Sequence, residues 1–293
     1  MSETKEILKQ VKKIEITTKQ LVDGLISGNY HSIFKGQGIE FSEIREYKLG
    51  DDIRSIDWKV TARFNRPFVK EFIEERDLNV YFVFDYSASN NFGSNVEKVR
   101  KSINLTATLM FSAMRNNDNV GLFIFTEDVE LFIPARKGRK HILKLISTLV
   151  SFKPKNSKTN IQKSLSHISN FLKKRGIVFL ISDFYNQDFA KPLKILKKKQ
   201  DVIAIQVTDD REHEIPDVGL IQLEDEETGE QILVDTSDEE FRKNFSKLVS
   251  KEQSRLKDVF NRNKIDTMTI STNIPYDLSL KRFFKLRELR GVR

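Results

Sequence analysis

The sequence NVYFVFDYSAS, at residues 79–89, joins an almost continuous apolar run to a short polar segment that begins at Asp85. Three further runs of the same kind follow, namely VGLFIFT at 120–126, GIVFLISD at 176–183 and DVIAIQVTD at 201–209. Runs of β-branched and aromatic residues with so few polar interruptions are typical of strands covered on both faces. We therefore expect these four segments to form the centre of a buried, mainly parallel sheet.

Helical patterns separate these strands, and two of them have a recognisable start. Ser94 and Glu97 form a capping box before one apolar stripe, and Thr159 and Gln162 form another before the next. Ser237 and Glu240 form a third before a later, long helix. The alternation of strands and helices predicts right-handed crossovers and an α/β fold with a doubly wound, mainly parallel sheet. The segment VELFIPA, at 129–135, follows its predecessor so closely that it is predicted to be an antiparallel partner at the sheet edge.

The regions flanking the α/β core are predicted to form three smaller parts. Residues 1–78 carry an amphipathic N-terminal helix and a small β-rich arm, in which Arg alternates with Asp and Glu around the single Trp58. Residues 79–273 form the α/β domain with an acidic hairpin insert near 211–236, and residues 274–293 form a basic C-terminal helix. The arm is interpreted either as a docking surface or as a β unit held by Arg–carboxylate pairs.

Composition and charge limit the classes of function. The 293 residues include no cysteine, which excludes a disulfide scaffold, a zinc–thiolate site and a cysteine nucleophile. The formal charge is +8, but residues 209–240 carry 14 acidic side chains and one Arg, a net −13, which leaves +21 for the rest. A chain this polarised is expected to meet a charged macromolecule, although an ordinary solvated surface explains the same pattern.

Membrane insertion and nucleotide binding are not expected from this sequence. The longest apolar runs have five residues, whereas a membrane span needs about 18 or more. No secretory signal is present, so the expected location is the cytoplasm, with peripheral attachment to a membrane left open. Neither a GxxxxGKS/T nor a GxGxxG sequence occurs, so this chain is not expected to bind a nucleotide.

Oxygen-bearing side chains cluster where the central strands are predicted to end. Ligands of open parallel sheets bind beyond the carboxyl ends of the strands, and Mg²⁺ prefers oxygen ligands. We therefore expect a site for Mg²⁺, or another divalent cation, at this edge. Each candidate also has an ordinary explanation, because Asp, Ser and Thr end strands and cap helices without binding metal. The candidate ligands are Asp85, Ser87, Ser89, Thr159 and Asp183.

The small number of carboxylates separates the functions that such a site could perform. Two carboxylates only balance a divalent ion, and an ion that contacts Asp183 through water would keep an open position for an external Asp or Glu. Hydrolytic two-metal sites need a carboxylate cluster around ions ~3.5–4 Å apart. One alternative is a Mg²⁺-dependent nuclease or nucleic-acid-binding protein that uses the basic helices. Another is a structural scaffold with a vestigial metal site.

The pattern Asp-x-Ser-x-Ser after the first strand, with the later Thr and Asp, is similar to the metal-ion-dependent adhesion site of von Willebrand factor A domains. Upstream, REYKLGDDIRSIDWKVTAR at 45–63 and VKEF at 69–72 resemble the signature of the domain of unknown function 58 family. The segment GLIQLEDEETGEQILVDT, at 219–236, resembles the hairpin of that family. Many members carry membrane helices near the start, whereas this chain resembles a soluble short form.

The resemblance implies a von Willebrand factor A-like fold and a bound Mg²⁺. It also implies partnership with a MoxR-type AAA+ ATPase in the chaperone-like assembly or activation of other proteins. On this basis the chain is expected to be a non-enzymatic, metal-dependent protein-binding module. A client protein would supply the Asp or Glu that completes the metal site, and nucleic acid is not the expected partner.

Overall fold

The computed structural model describes residues 3–22, 40–73, 78–87, 96–156, 158–185, 188–209, 212, 215–224 and 230–290. The chain divides into two separately packed units. The smaller unit is Phe34–Leu78, and the larger unit combines Met1–Ile33 with Asn79–Arg293. The secondary-structure elements, in chain order, are α1 (Glu3–Leu21), β1 (Glu40–Glu46), α2 (Trp58–Phe64), β2 (Phe68–Ile73), β3 (Asn79–Asp85), α3 (Val96–Arg115), β4 (Asn119–Phe125), β5 (Val129–Arg136), α4 (Arg139–Ser151), α5 (Ile161–Phe171), β6 (Ile177–Ser182), α6 (Ala190–Lys199), β7 (Asp201–Thr208), β8 (Leu220–Glu224), β9 (Gln231–Asp235), α7 (Glu239–Arg262), β10 (Asp266–Ser271) and α8 (Tyr276–Arg290).

A six-stranded sheet with the order β10-β7-β6-β3-β4-β5 forms the centre of the larger unit. The strands β10, β7, β6, β3 and β4 run parallel, and β5 pairs antiparallel with β4 at the edge. The four apolar runs of the sequence are the four inner strands. The prediction of an α/β fold with a mainly parallel sheet and an antiparallel edge strand is therefore confirmed.

Both faces of this sheet are covered. Successive residues of a strand point to opposite faces, and Phe82 and Val83 of β3 are both fully buried. Helices α1, α3 and α4 pack against one another, and α5 packs against α6. The core on the side of Val83 includes Leu165 of α5, Leu193 of α6 and Phe260 of α7. Burial on both sides explains why these strands read as continuous apolar runs rather than as alternating ones.

The N-terminal helix belongs to the larger unit, whereas the sequence grouped it with the arm in residues 1–78. Helix α1 packs on α3 and α4, and it buries Val11 and Thr18. Arg139 at the start of α4 pairs with Glu15 at 2.6 Å. The grouping differs because the apolar stripe of α1 packs against helices that are far from it in the sequence, and the sequence pattern does not show such long-range contacts. The predicted end of this helix, near residues 28–29, lies outside the described residues.

The arm is less purely β than predicted. Strands β1 and β2 pair antiparallel, but the segment between them contains the helix α2 and a 3₁₀ turn at Ile53–Ser55. The helix forms because the side chain of Asp57 accepts hydrogen bonds from the backbone N–H groups of Lys59 and Val60, at 2.9 and 3.2 Å. The prediction of a β-rich arm therefore missed a capping signal that was present in the sequence.

Two predicted helix caps are displaced by one residue. Helix α5 is capped by Asn160, whose Oδ1 accepts from Lys163 N at 2.9 Å, rather than by Thr159. Helix α7 is capped by Asp238, whose Oδ1 accepts from Glu240 N at 2.8 Å. In both places an Asx residue lies beside the predicted Ser or Thr and takes the capping position. Ser94, the third predicted cap, lies outside the described residues.

Candidate functional site

The candidate site lies at the carboxyl ends of β3 and β6, which are neighbouring parallel strands. Phe84 of β3 is opposite Ile181 of β6, so Asp85 and Ser182 end their strands at the same level. Asp183 follows directly after β6. The parallel register therefore brings together side chains that are about one hundred residues apart in the sequence, at the edge where ligands of such sheets bind.

Asp85 is a buried carboxylate surrounded by hydroxyl groups, with only 1% of its surface exposed. Its Oδ1 accepts hydrogen bonds from the hydroxyl of Ser87 at 2.7 Å and from the backbone N–H of Ser87 at 3.1 Å. Its Oδ2 accepts from the hydroxyl of Ser182 at 2.7 Å. A serine hydroxyl has one proton to donate and two lone pairs. A hydroxyl that donates its proton to a carboxylate can therefore still offer a lone pair to a cation.

The electrostatic environment of Asp85 disfavours its negative charge. Burial, together with the nearby charge of Asp183, raises the pKa of Asp85 from 3.8 to about 7, although hydrogen bonds from Ser182 and Ser87 oppose the rise. A carboxylate that loses its hydration on folding either takes up a proton or is stabilised by a compensating positive charge. A cation at this position would supply that charge.

Asp183 is held in place by its own turn. Its side chain is 9% exposed, and its Oδ1 accepts from Tyr185 N at 3.2 Å. The next residue, Phe184, has a φ of 58°, a left-handed conformation that is rare for a bulky residue. Phe184 is retained there by edge-on packing on Phe260, with ring centroids 5.1 Å apart, and by donating its N–H to Ser182 Oγ at 3.0 Å. Burial of the Phe184 ring therefore stabilises the turn that positions Asp183.

Lys98 and Glu212 also belong to this neighbourhood, and sequence reasoning missed both. The Lys98 side chain is 2% exposed, and its Nζ lies 2.6 Å from Glu212 Oε1 and 3.7 Å from Asp183 Oδ2. A signal for Lys98 existed, because it shares the buried helical stripe of Ser102, Leu105 and Leu109. Glu212 could not be distinguished from the many other acids around it.

Of the five predicted ligands, the structure brings Asp85, Ser87 and Asp183 together. Thr159 lies at the same edge, because its neighbour Asn160 donates its N–H to Thr126 O at 3.1 Å, directly after β4. Ser89 lies outside the described residues. Ser182 was missed as a participant, although it is the one hydroxyl in an otherwise apolar strand.

The available ligand atoms are hydroxyl and carboxylate oxygens, which suit a hard cation such as Mg²⁺. Within the described ranges, no group of three or more His, Cys, Asp or Glu side chains is arranged to hold a metal ion. A cation at Asp85 would therefore depend on hydroxyl groups as well as carboxylates. The buried charge of Asp85 and the adjacent hydroxyls fit such an ion.

Comparison with known proteins identifies relatives whose functions are not described. A family model described as "Protein of unknown function DUF58" matches residues 43–255. An uncharacterized protein of Mycobacterium tuberculosis is 32% identical over 223 residues, which is 75% of this chain and 70% of the relative. The uncharacterized protein YeaD of Bacillus subtilis is 28% identical over 108 residues, which is 37% of this chain and 25% of that protein.

Two solved structures are distantly similar to this chain. An aerotolerance-related membrane protein from Bacteroides fragilis has a TM-score of 0.45 at 16% identity, covering 73% of this chain and 100% of that one. The conserved hypothetical protein BatB from Bacteroides thetaiotaomicron has a TM-score of 0.44 at 15% identity, with 73% and 100% covered. Scores this low do not establish a shared fold. In the part of our chain that the structure describes, no helix has both the length and the hydrophobicity to cross a bilayer.

Proposed function

Because this chain belongs to the DUF58 family of proteins of unknown function, we propose that it is a non-enzymatic protein-binding module that acts through a divalent cation. The observation that carries this proposal is the buried Asp85 carboxylate, which lies among hydroxyl groups at the carboxyl edge of the sheet. A carboxylate in this setting costs stability unless a positive charge accompanies it. The proposed ion is Mg²⁺.

The residues that would hold the ion are those of the adhesion-site pattern. Asp85 supplies the buried negative charge, Ser87 lies beside it, and Asp183 approaches from the neighbouring strand. Thr159 and Ser89 complete the proposed set. The fold is proposed to be von Willebrand factor A-like, which is supported by the position of the Asp-x-Ser-x-Ser pattern at the end of a central strand. When bound, the ion would supply an open coordination position for a carboxylate from another protein.

The charge around the site favours binding over hydrolysis. Glu212 is tied to the Lys98 ammonium at 2.6 Å, and the same ammonium lies near Asp183. Lys98 therefore offsets part of the negative charge that a second metal ion would require. Two-metal hydrolysis needs more carboxylates than this, together with a base for the attacking water. A protein-binding site needs only one ion with an open position.

The proposed partner is a MoxR-type AAA+ ATPase, with a client protein that supplies an Asp or Glu. This part of the proposal rests on the family resemblance carried by residues 45–63 and 69–72. Helix α2 and β2 lie in this signature region, and Trp58 there is 67% exposed. The chain would then contribute to the assembly or activation of other proteins.

The test is to isolate client proteins that bind the immobilised chain in Mg²⁺, and then to measure the affinity of the chain for one of them with Mg²⁺ and with a chelator. In Mg²⁺ we expect Asp85→Ala to weaken binding by at least about 30-fold, since it removes a desolvated charge partner worth ~2 kcal/mol. Asp258→Ala, an exposed acid on α7, is the matched control and should leave the affinity unchanged. Equal affinity with Mg²⁺, with chelator and for Asp85→Ala would refute the proposal.

A further inference from the structure

The positive charge of this chain is concentrated in one stretch and at one edge of the fold. Residues 131–200 contain 17 Lys and Arg against two Asp, a net charge of +15. Between Glu130 and Asp183 the sequence contains no acidic residue at all. Ordinary solvated surfaces mix both signs, so this segregation calls for a partner of opposite charge.

The parallel sheet places many of these cations at the amino ends of its strands. Arg136 ends the antiparallel β5 opposite Val120, near the start of β4. Lys173, Lys174 and Arg175 lie just before β6, and Lys198 lies in the last turn of α6, just before β7. We define the basic rim as the exposed residues Arg136, Lys140, Lys173, Lys174, Arg175 and Lys198.

Hydrogen bonds connect neighbouring parts of the basic rim around α6 and β6. Lys199 Nζ donates to Ser169 O at 3.1 Å, and Gln200 Nε2 donates to Lys174 O at 2.9 Å. These bonds join the end of α6 to the end of α5 and to the loop before β6. From β7 to β5 the sheet has four strand spacings, so the rim is about 19 Å wide. None of its six side chains forms an ion pair with a described residue.

Two large apolar side chains are exposed beside these cations. Phe171, two residues before Lys173, is 58% exposed, and Ile195, three residues before Lys198, is 52% exposed. Lysines around exposed apolar side chains match the surface of an anionic bilayer, where charges meet headgroups and apolar groups enter the interface. Single-stranded nucleic acid instead stacks on several aromatic side chains, and Phe171 is the one exposed aromatic beside the described rim.

We propose that the basic rim binds the surface of membranes that contain anionic phospholipids. The metal-site residues lie at the carboxyl ends of β3 and β6, at the opposite edge of the sheet, about 20 Å away for strands of this length. Binding through the rim would therefore direct the Asp85 edge away from the bilayer. This proposal is independent of the metal site, because it uses none of its residues.

The test is co-sedimentation of the full chain with vesicles of phosphatidylcholine alone, or with one-third phosphatidylglycerol. We expect binding only to the anionic vesicles at about 50 mM salt, and loss of binding at about 500 mM. The triple charge reversal K173E/K174E/R175E should weaken binding about 100-fold, given the usual contribution of each basic residue. A second variant, R136E/K140E/K198E, keeps the test valid if the first does not fold.

The matched control is K243E/K247E/K251E, which changes the net charge equally through exposed lysines of α7. This control should bind within about twofold of the wild type, because its lysines lie outside the rim. Equal loss in the rim and control variants would overturn the proposal, since net charge alone would then explain binding. It would also be overturned if the wild type ignored anionic vesicles at low salt, or bound a single-stranded RNA while ignoring them.

Discussion

Ser182 Oγ donates a hydrogen bond of 2.7 Å to Asp85 Oδ2, across two neighbouring strands that are far apart in sequence. The same oxygen accepts the N–H of Phe184 at 3.0 Å. One hydroxyl thus connects the buried carboxylate of β3 to the turn that carries Asp183. The positions of the two acidic residues of the candidate site therefore depend on each other, and a substitution at one should alter the position of the other.

Removing this hydroxyl should affect both stability and metal binding. In Ser182→Ala, Asp85 Oδ2 and Phe184 N each lose a buried partner, so we expect the free energy of unfolding to fall by about 1–3 kcal/mol. Mg²⁺ affinity should fall about 10-fold, because Asp85 is no longer oriented. Chemical denaturation and isothermal titration calorimetry measure the two effects. Ser166→Ala, whose hydroxyl bonds the carbonyl of Gln162 on an exposed face, should change neither, and equal effects would contradict the assignment.

The pH dependence of stability should reveal the buried charge of Asp85. The pKa of Asp85 is raised from 3.8 to about 7 in the folded chain, so the folded state binds a proton that the unfolded state has released. Without metal, stability should therefore fall as the pH rises from about 4 to about 7. At pH above 7 this loss is on the order of 4 kcal/mol. Asp85→Asn should lack this dependence.

The measurement is thermal melting of both proteins in chelator, from about pH 5 to above pH 7. Above pH 7, Asp85→Asn should melt at a higher temperature than the wild type. Saturating Mg²⁺ should stabilise the wild type and leave the variant unchanged, since only the wild type gains a bound ion. If the variant melted below the wild type in chelator at every pH, the charged carboxylate of Asp85 would not destabilise the metal-free protein, and the prediction would be wrong.

Lys98 and Glu212 should be energetically coupled. Lys98→Met leaves Glu212 and Asp183 without their shared ammonium, and breaking a buried pair in this way costs about 3–5 kcal/mol. The double variant Lys98→Met, Glu212→Gln removes both charges and should recover at least about 1 kcal/mol relative to the sum of the single changes. Denaturant unfolding of the wild type, the two single variants and the double variant measures this coupling in a double-mutant cycle. Additive effects would mean that the 2.6 Å contact contributes no coupling.

In the arm, Asp51 should remain ionised in strong acid. Its side chain accepts two hydrogen bonds from Arg45, at 2.7 and 2.9 Å. These bonds, followed by the bond from the backbone N–H of Lys48, lower the pKa of Asp51 to about 2. The contribution of this pair to stability is complete above pH 3.8 and is lost as the pH falls through about 2.

NMR titration of the side-chain carboxyl carbons measures the pKa of Asp51 directly. Arg45→Met should return it toward 3.8, the ordinary value, because the main stabilising partner is gone. Arg66→Met removes an exposed arginine that pairs with Glu46 and should leave Asp51 unaffected. A wild-type pKa near 3.8 would contradict the bidentate pair.

The strands could be predicted from the sequence because a strand that is buried on both faces consists almost entirely of apolar residues. Asp85 and Asp183 were predicted for a related reason, since polar residues that end apolar runs must meet at one edge of a parallel sheet. The resemblance to the DUF58 family was likewise confirmed, because the family model matches residues 43–255. These features depend on local pattern and on one topological rule.

Lys98, Glu212 and the exact caps could not be obtained in this way. Lys98 reads as an exposed lysine until its position on the buried stripe of α3 is known, and its partner lies more than a hundred residues away. The caps moved to Asn160 and Asp238 because two adjacent residues could each accept the same backbone N–H groups. Which of the two adjacent residues caps the helix depends on tertiary packing, which the local sequence does not show.

The most direct test of the metal proposal is to crystallise the full chain with Mn²⁺, as a substitute for Mg²⁺, and locate the ion by anomalous scattering. We predict one strong peak within bonding distance of oxygens from Asp85 and Ser87, with Asp183 beside it directly or through water. Crystals saturated with Mn²⁺ that showed no peak there, with Asp85 keeping its hydrogen bonds to Ser87 and Ser182, would contradict the proposed metal site.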